Sequence, residues 1–170
     1  VPTDVDVKDG VLTFQFESGG SGAITLTDDY VELSWEAEGY DRIAMSFECS
    51  DSDRFFGLGA QVSAEHHGYR VPIWLQEQGN GKVDRGLDPP VFGLSGYHYQ
   101  SYSPIPFTML SRPLGFELVS DYRSEFEFCS DRDRFRVESF GGKFHARLYL
   151  GESPAEIIES FTGLTGRARP

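Results

Sequence analysis

Apolar and polar residues alternate with a period of two along much of the chain. Leu12, Phe14 and Phe16 alternate with Thr13, Gln15 and Glu17, and Val31, Leu33 and Trp35 with Glu32, Ser34 and Glu36. Ile43, Met45 and Phe47 repeat the pattern. So do Phe144, Ala146, Leu148 and Leu150 against Lys143, His145, Arg147 and Tyr149. A strand with one apolar and one wet face is packed on one side only, as in antiparallel sheets. Shorter strands are expected over 23–27, 115–119, 123–129 and 134–139. Turn formers stand between the runs: Ser18-Gly19-Gly20-Ser21-Gly22, Thr27-Asp28-Asp29, Gly39-Tyr40-Asp41 and Gly141-Gly142. Short strands at roughly 8–12-residue spacing predict an all-β fold, a two-sheet antiparallel β-sandwich.

One helix is expected near the carboxyl end. Ser153 suits the N-cap, Pro154 the first helical position, and Glu156 stands three residues after Ser153 as a capping-box partner. Ile157, Ile158, Phe161 and Leu164 form an apolar stripe that Gly166 can terminate. Residues 1–166 therefore read as one sandwich domain, and 167–170 as the start of a linker. The stretch 57–106 alternates little and is rich in Gly, Pro, Tyr and Gln, which predicts functional loops or covered surface. A short echo, Cys49-Ser50-Asp51-Ser52-Asp53-Arg54-Phe55 and Cys129-Ser130-Asp131-Arg132-Asp133-Arg134-Phe135, reads as shared turn chemistry rather than a repeat. Neither copy has a calcium-hand pattern.

Charge and cysteine narrow the partners. With 15 basic and 27 acidic residues the net charge is −12, which disfavours nucleic acid and anionic membranes as partners. No apolar run approaches the ~20 residues of a membrane span. The opening Val1-Pro2-Thr3-Asp4 has neither a leader's basic start nor an initiator Met, so the chain reads as processed or excised. Cys49 and Cys129 allow one bridge. Each ends an apolar run, however, and free Cys is commonly a small core residue, so two buried thiols are expected.

Five segments carry a resemblance. They are Asp53-Arg54-Phe55-Phe56-Gly57-Leu58-Gly59-Ala60-Gln61, Arg70-Val71-Pro72-Ile73-Trp74, Gln76-Glu77-Gln78-Gly79, Tyr102-Ser103-Pro104-Ile105-Pro106-Phe107, and Gly151-Glu152-Ser153-Pro154 through to Thr165-Gly166-Arg167. In content and order they resemble the amino-terminal domain of family 31 glycoside hydrolases, which include α-glucosidases, α-xylosidases and sulfoquinovosidases. The resemblance implies a galactose mutarotase-like sandwich packed on a following (β/α)8 barrel of the same parent chain. It also implies retaining hydrolysis, whose two carboxyls, about 5–5.5 Å apart, belong to that barrel. The family has Glu where this chain has Ala60, so no role transfers to the turn Gly59-Ala60-Gln61.

Within the chain itself no catalytic residue, cofactor or metal site is predicted. Glu65, Glu77, Asp84, Asp88 and Asp121 are too many and too scattered to single out a pair. A zinc site of Glu65, His66 or His67, and His98 lacks metal-ligand spacing, so His66-His67 reads as a solvent-facing pair. His98 with Glu125, as in a sugar epimerase, has only fold analogy behind it. His98 itself reads as part of an aromatic cluster, and His145 as an outward strand residue. The sugar contacts are expected from Trp74, Gln76, Glu77 and Gln78, an aromatic platform beside planar amide and carboxylate groups, in a loop running on to Lys82. The resemblance implies that this loop reaches the sugar pocket; polar groups serving only an interdomain surface are the plainer reading. Tyr97, Tyr99, Tyr102, Pro104 and Pro106 form a second patch, expected to pack on the barrel with the face up to Phe107 exposed. The alternative is a stand-alone carbohydrate-binding module.

Overall fold

A computed structural model describes residues 2–17, 19–61, 63–74, 101–131 and 133–167. Two antiparallel sheets and one helix make up the described fold, as the alternation predicts. The large sheet has the spatial order β1 (Pro2–Lys8), β2 (Val11–Phe16), β3 (Ser21–Leu26), β4 (Val31–Glu36), β12 (Lys143–Leu150), β9 (Leu114–Leu118), β8 (Ser101–Leu110), β6 (Phe55–Gln61). The small sheet has the order β5 (Ile43–Glu48), β11 (Arg134–Ser139), β10 (Ser124–Phe128), β7 (Arg70–Ile73).

Phenylalanine fills the space between the sheets. Phe55, Phe116 and Phe144 come from the large sheet and Phe126, Phe128 and Phe135 from the small one, each at most 2% exposed. Phe128 stacks on Phe135 with centroids 5.3 Å apart, and Phe55 tilts against Phe128 at 4.8 Å. Rings of this size dominate core burial, and offset or edge contacts add to it. Farther out on the large sheet, Val5, Phe14, Gly22, Trp35 and Phe144 form one cross-strand row. Gly22 has a purpose there: a side chain would strike the Phe14 ring, which reaches over it toward Trp35.

Part of the middle stretch is strand, which corrects the expectation of irregular structure. β6, β7 and β8 all fall within or next to it, hidden by glycine and proline. Gly57 and Gly59 take φ of 121° and 84°, and the fully buried Leu58 between them takes 64°. The β6–β8 register shifts on either side of Gly59, so these glycines mark bulges in a paired strand. Pro104 and Pro106 lie beyond the part of β8 paired with β9, which begins at Phe107, so their missing donors disturb no ladder bond there. β1 is a further strand beyond those expected; all seven of its residues are exposed, at the sheet edge.

Helix α1 (Pro154–Thr165) forms as predicted. The Ser153 side chain accepts from the Glu156 backbone N–H, and the Gly166 N–H donates to the Thr162 carbonyl at 2.9 Å. The helix docks on the outer face of the large sheet. Ile157 is 1% exposed, and Phe161 stacks on Phe107 at 4.0 Å. Gly115 in β9 makes room: a Cβ there would sit 2.6 Å from Cγ2 of Ile157.

This docking overturns two expectations. Tyr149, on the predicted wet face of β12, is fully buried, and so is nearly all of Phe107, predicted to be exposed. The physical reason is that the helix covers this part of the outer face, so alternation there no longer separates wet from dry. The predicted stripe is also divided. Ile157 and Phe161 pack inward, while Ile158 and Leu164 remain over 40% exposed.

Candidate functional site

Of the predicted sugar contacts, Trp74 is described, while Gln76, Glu77 and Gln78 lie outside the described residues. So do His98, Tyr97 and Tyr99. Trp74 follows directly on β7, whose Val71 and Ile73 are buried, so its backbone leaves a fixed strand end. The Arg123 guanidinium lies 4.1 Å over the Trp74 ring and 4.6 Å over Phe140, and Arg42 lies 4.6 Å over Phe140. Phe140 and Arg123 are tied by a backbone hydrogen bond of 2.9 Å. Trp74 is therefore an oriented ring with a cation on it, each such contact being worth about 0.5–1 kcal/mol where solvent reaches it. The next described residue after Trp74 is Ser101, which is buried and opens β8.

A second polar region lies on the outer face of the large sheet. A trough of about 800 Å³ runs across it, lined by Asp4, Asp6, Gln15, Ser34 and Glu36 among others. At its border, Nε2 of His145 is 2.7 Å from Glu32, as fits its predicted outward position. Arg147 pairs with Glu117 at 3.2 Å, and the Tyr149 hydroxyl donates to the same carboxylate at 2.5 Å. Burial pushes the Tyr149 pKa well above its ordinary value, and Glu117 pushes it the same way. Burial works against the Arg147 charge, but Glu117 more than offsets this and leaves its pKa raised. The network escaped the sequence reading because its members sit on wet-face positions far apart in the chain. Opposite charges at paired positions 117 and 147 are the signal that could have found it.

The network is structural. Glu117→Gln is expected to destabilise the chain by about 3 kcal/mol in urea denaturation, because it strands the partly buried Arg147 charge. Adding Arg147→Met should recover part of that loss. A loss below about 0.5 kcal/mol for the single variant would remove the argument, since surface changes fall in that range.

The histidine pair is not solvent-facing, a further correction. His66 is fully buried and stacks on Phe128 at 5.6 Å, with Nε2 3.2 Å from the Gly57 carbonyl. The sequence hid this because the 63–69 loop folds over the edge of β6: the His66 N–H donates to the Phe55 carbonyl at 3.0 Å. An exposed strand edge invites mispairing, and this cover prevents it. Glu65 accepts from the backbone N–H groups of Phe55 and His67 at 3.3 and 2.6 Å. Burial pushes the His66 pKa below 6.5, against the Gly57 hydrogen bond and Glu65. The unfolded chain therefore binds this proton more readily. The contribution is complete above about pH 6.5 and is lost as pH falls toward the folded-state value. Urea midpoints measured from pH 7.5 to 5.5 should fall, and His66→Asn should flatten that slope; an unchanged slope would reject the assignment.

Of the other acids singled out in the sequence, Asp84 and Asp88 lie outside the described residues, as Glu77 does. Glu125 pairs with Arg70 at 3.3 Å, so it is no free partner for an epimerase histidine, and Asp121 stands in an exposed bend. Cys49 and Cys129 are joined in a disulfide, with Cα atoms 6.1 Å apart, in place of the expected two thiols. The reason is topological. β5 and β10 both flank β11, so the ends of the two strands meet across one turn. The sequence echo acquires a meaning here: its two cysteines bond, and its two phenylalanines, Phe55 and Phe135, lie 5.2 Å apart.

Fold and side chains together define a β-sandwich domain whose described polar groups mostly hold structure. No family model matches the chain. Alpha-xylosidase XylQ of Lactiplantibacillus pentosus is 25% identical over 169 residues, 96% of this chain and 19% of the xylosidase. Alpha-glucosidase 2 of Bacillus thermoamyloliquefaciens is 26% identical over 121 residues, 69% of this chain and 14% of that protein. Among solved structures, a GH31 family sulfoquinovosidase from E. rectale covers 98% of the chain at TM-score 0.85 and 18% identity. A Flavobacterium johnsoniae GH31 dextranase covers 98% at 0.61 and 18%. The chain spans 26% and 21% of those two enzymes. It carries the β-sandwich found within family 31 glycoside hydrolases.

Proposed function

We propose that the chain is the amino-terminal domain of a retaining α-glycosidase, with residues 1–166 forming the sandwich and 167–170 opening the link to a (β/α)8 catalytic barrel. The observation that carries this is the sulfoquinovosidase match, which spans 98% of this chain yet 26% of that enzyme. The α-xylosidase and α-glucosidase similarities point the same way. Catalysis then resides in the barrel, while Glu65, Glu117 and Glu125 are engaged by backbone N–H groups, Arg147 and Arg70. The exposed Ile105, Ile158 and Leu164 are apolar surface available for packing on it. Trp74, oriented by Arg123, leads into Gln76, Glu77 and Gln78, which lend polar groups to the sugar site.

The test compares the 170-residue chain with the protein extended by its downstream coding sequence, using aryl α-glucosides and α-xylosides. Turnover is expected from the extended protein alone, and Trp74→Ala within it should raise KM more than it lowers kcat. Hydrolysis by the 170-residue chain would reject the assignment of catalysis to the barrel. Calorimetric heat from this chain at millimolar glucose or xylose would instead support an independent sugar-binding module.

A further inference from the structure

We propose that Cys49, Cys129 and His67 form a redox-gated site for a soft divalent cation of the Zn²⁺ class. The ligating atoms of these three side chains all lie within 4.8 Å of one another. Cys49 is 7% exposed, and Nδ1 of His67 is buried without a hydrogen-bond partner. A buried imidazole nitrogen with no partner needs an explanation, since such groups are nearly always satisfied. A metal bond would supply one. Tetrahedral zinc places thiolates about 2.3 Å and imidazole nitrogen about 2.0–2.1 Å from the ion, so two sulfurs end roughly 3.7 Å apart. The span already present accommodates that spacing once the sulfurs separate.

The scaffold holds the ligands independently of their bond. Cys49 and Cys129 are anchored by backbone hydrogen bonds to Asp133 and Arg134 at 3.1 and 3.0 Å. His67 sits in a loop stitched to β10, with Gly68 N–H donating to Phe128 and Phe128 N–H to Tyr69. Its own N–H is held by Glu65. Two thiolates and an imidazole select zinc over magnesium or calcium, and leave a fourth position for water or an added ligand.

The disulfide is the closed state of this gate. A phosphine reductant transfers two electrons to the S–S bond; water supplies two protons and the oxygen of the phosphine oxide, leaving two thiols. Zn²⁺ then binds both sulfurs and His67, and the two thiol protons pass to solvent. The chain thereby keeps a cross-link in either redox state, covalent when oxidised and metal-bridged when reduced.

The test uses the 170-residue chain with Zn²⁺ as the probe, metal content being read after desalting and affinity by competition with a chromogenic chelator. One Zn²⁺ per chain is expected after phosphine reduction, none in the oxidised chain, and a raised Tm on adding Zn²⁺ to the reduced chain only. Co²⁺ in its place should give sulfur-to-metal charge-transfer absorption. His67→Gln should weaken binding roughly 100-fold or more, since even an outer-shell partner is worth 10–100-fold. Cys129→Ser gives the same loss through a different loop, so a folding defect in either variant leaves the other decisive. Equal uptake by oxidised and reduced chains, or by wild type and both variants with folding verified by circular dichroism, would overturn the site.

Discussion

Replacing Cys49 and Cys129 together by alanine, with a chelator present, is expected to lower Tm by about 5–15 °C. The bridge closes a long loop, its cysteines being 80 residues apart in sequence. Fixing that loop removes roughly 4.5 kcal/mol of freedom from the unfolded chain on the entropic account, and measured values are typically 2–4. For a chain of this size each kcal/mol moves Tm by about 2–4 °C. The bridge also ties the β5 end to the β10 end around the buried Phe55, Phe128 and Phe135. Calorimetric melts of the double variant and of the oxidised parent measure the effect directly. Superimposable melts would mean that the bridge constrains nothing that the phenylalanine core does not already hold.

Gly59→Ala should be comparably damaging, at about 3 kcal/mol or more. Gly59 has φ of 84°, where an L side chain adds roughly 1–2 kcal/mol. A methyl group there would also collide with the Ser103 carbonyl oxygen and sit 2.8 Å from the Ile105 nitrogen. Both obstacles are backbone, so relief requires β8 to shift, and overpacking of this kind adds about 1–3 kcal/mol. Ala60→Gly, one residue on and exposed, is the control and should lose no more than about 1 kcal/mol. Urea midpoints that fall equally for the two variants would show that the bulge does not require glycine at 59. A loss confined to Gly59→Ala would instead explain the Phe56-Gly57-Leu58-Gly59 part of the resemblance by backbone geometry, with no ligand needed.

The sequence by itself determined the sandwich, most of its strands, and the helix with both caps. These follow from local rules: a period of two assigns faces, and capping and turn residues act within a few positions. It failed for β6 and β8, where glycine and proline suit a bulged pairing but break the alternation that reveals strands. The tertiary structure decided everything that depends on residues distant in the chain. It joined Cys49 to Cys129, buried His66 over a strand edge, and set Glu117 against Arg147 and Tyr149 beneath a docked helix. Alternation says which residues share a face, but not what covers that face. A strand's outer side is wet or dry according to what else packs on it, and that is settled only when the whole chain has folded.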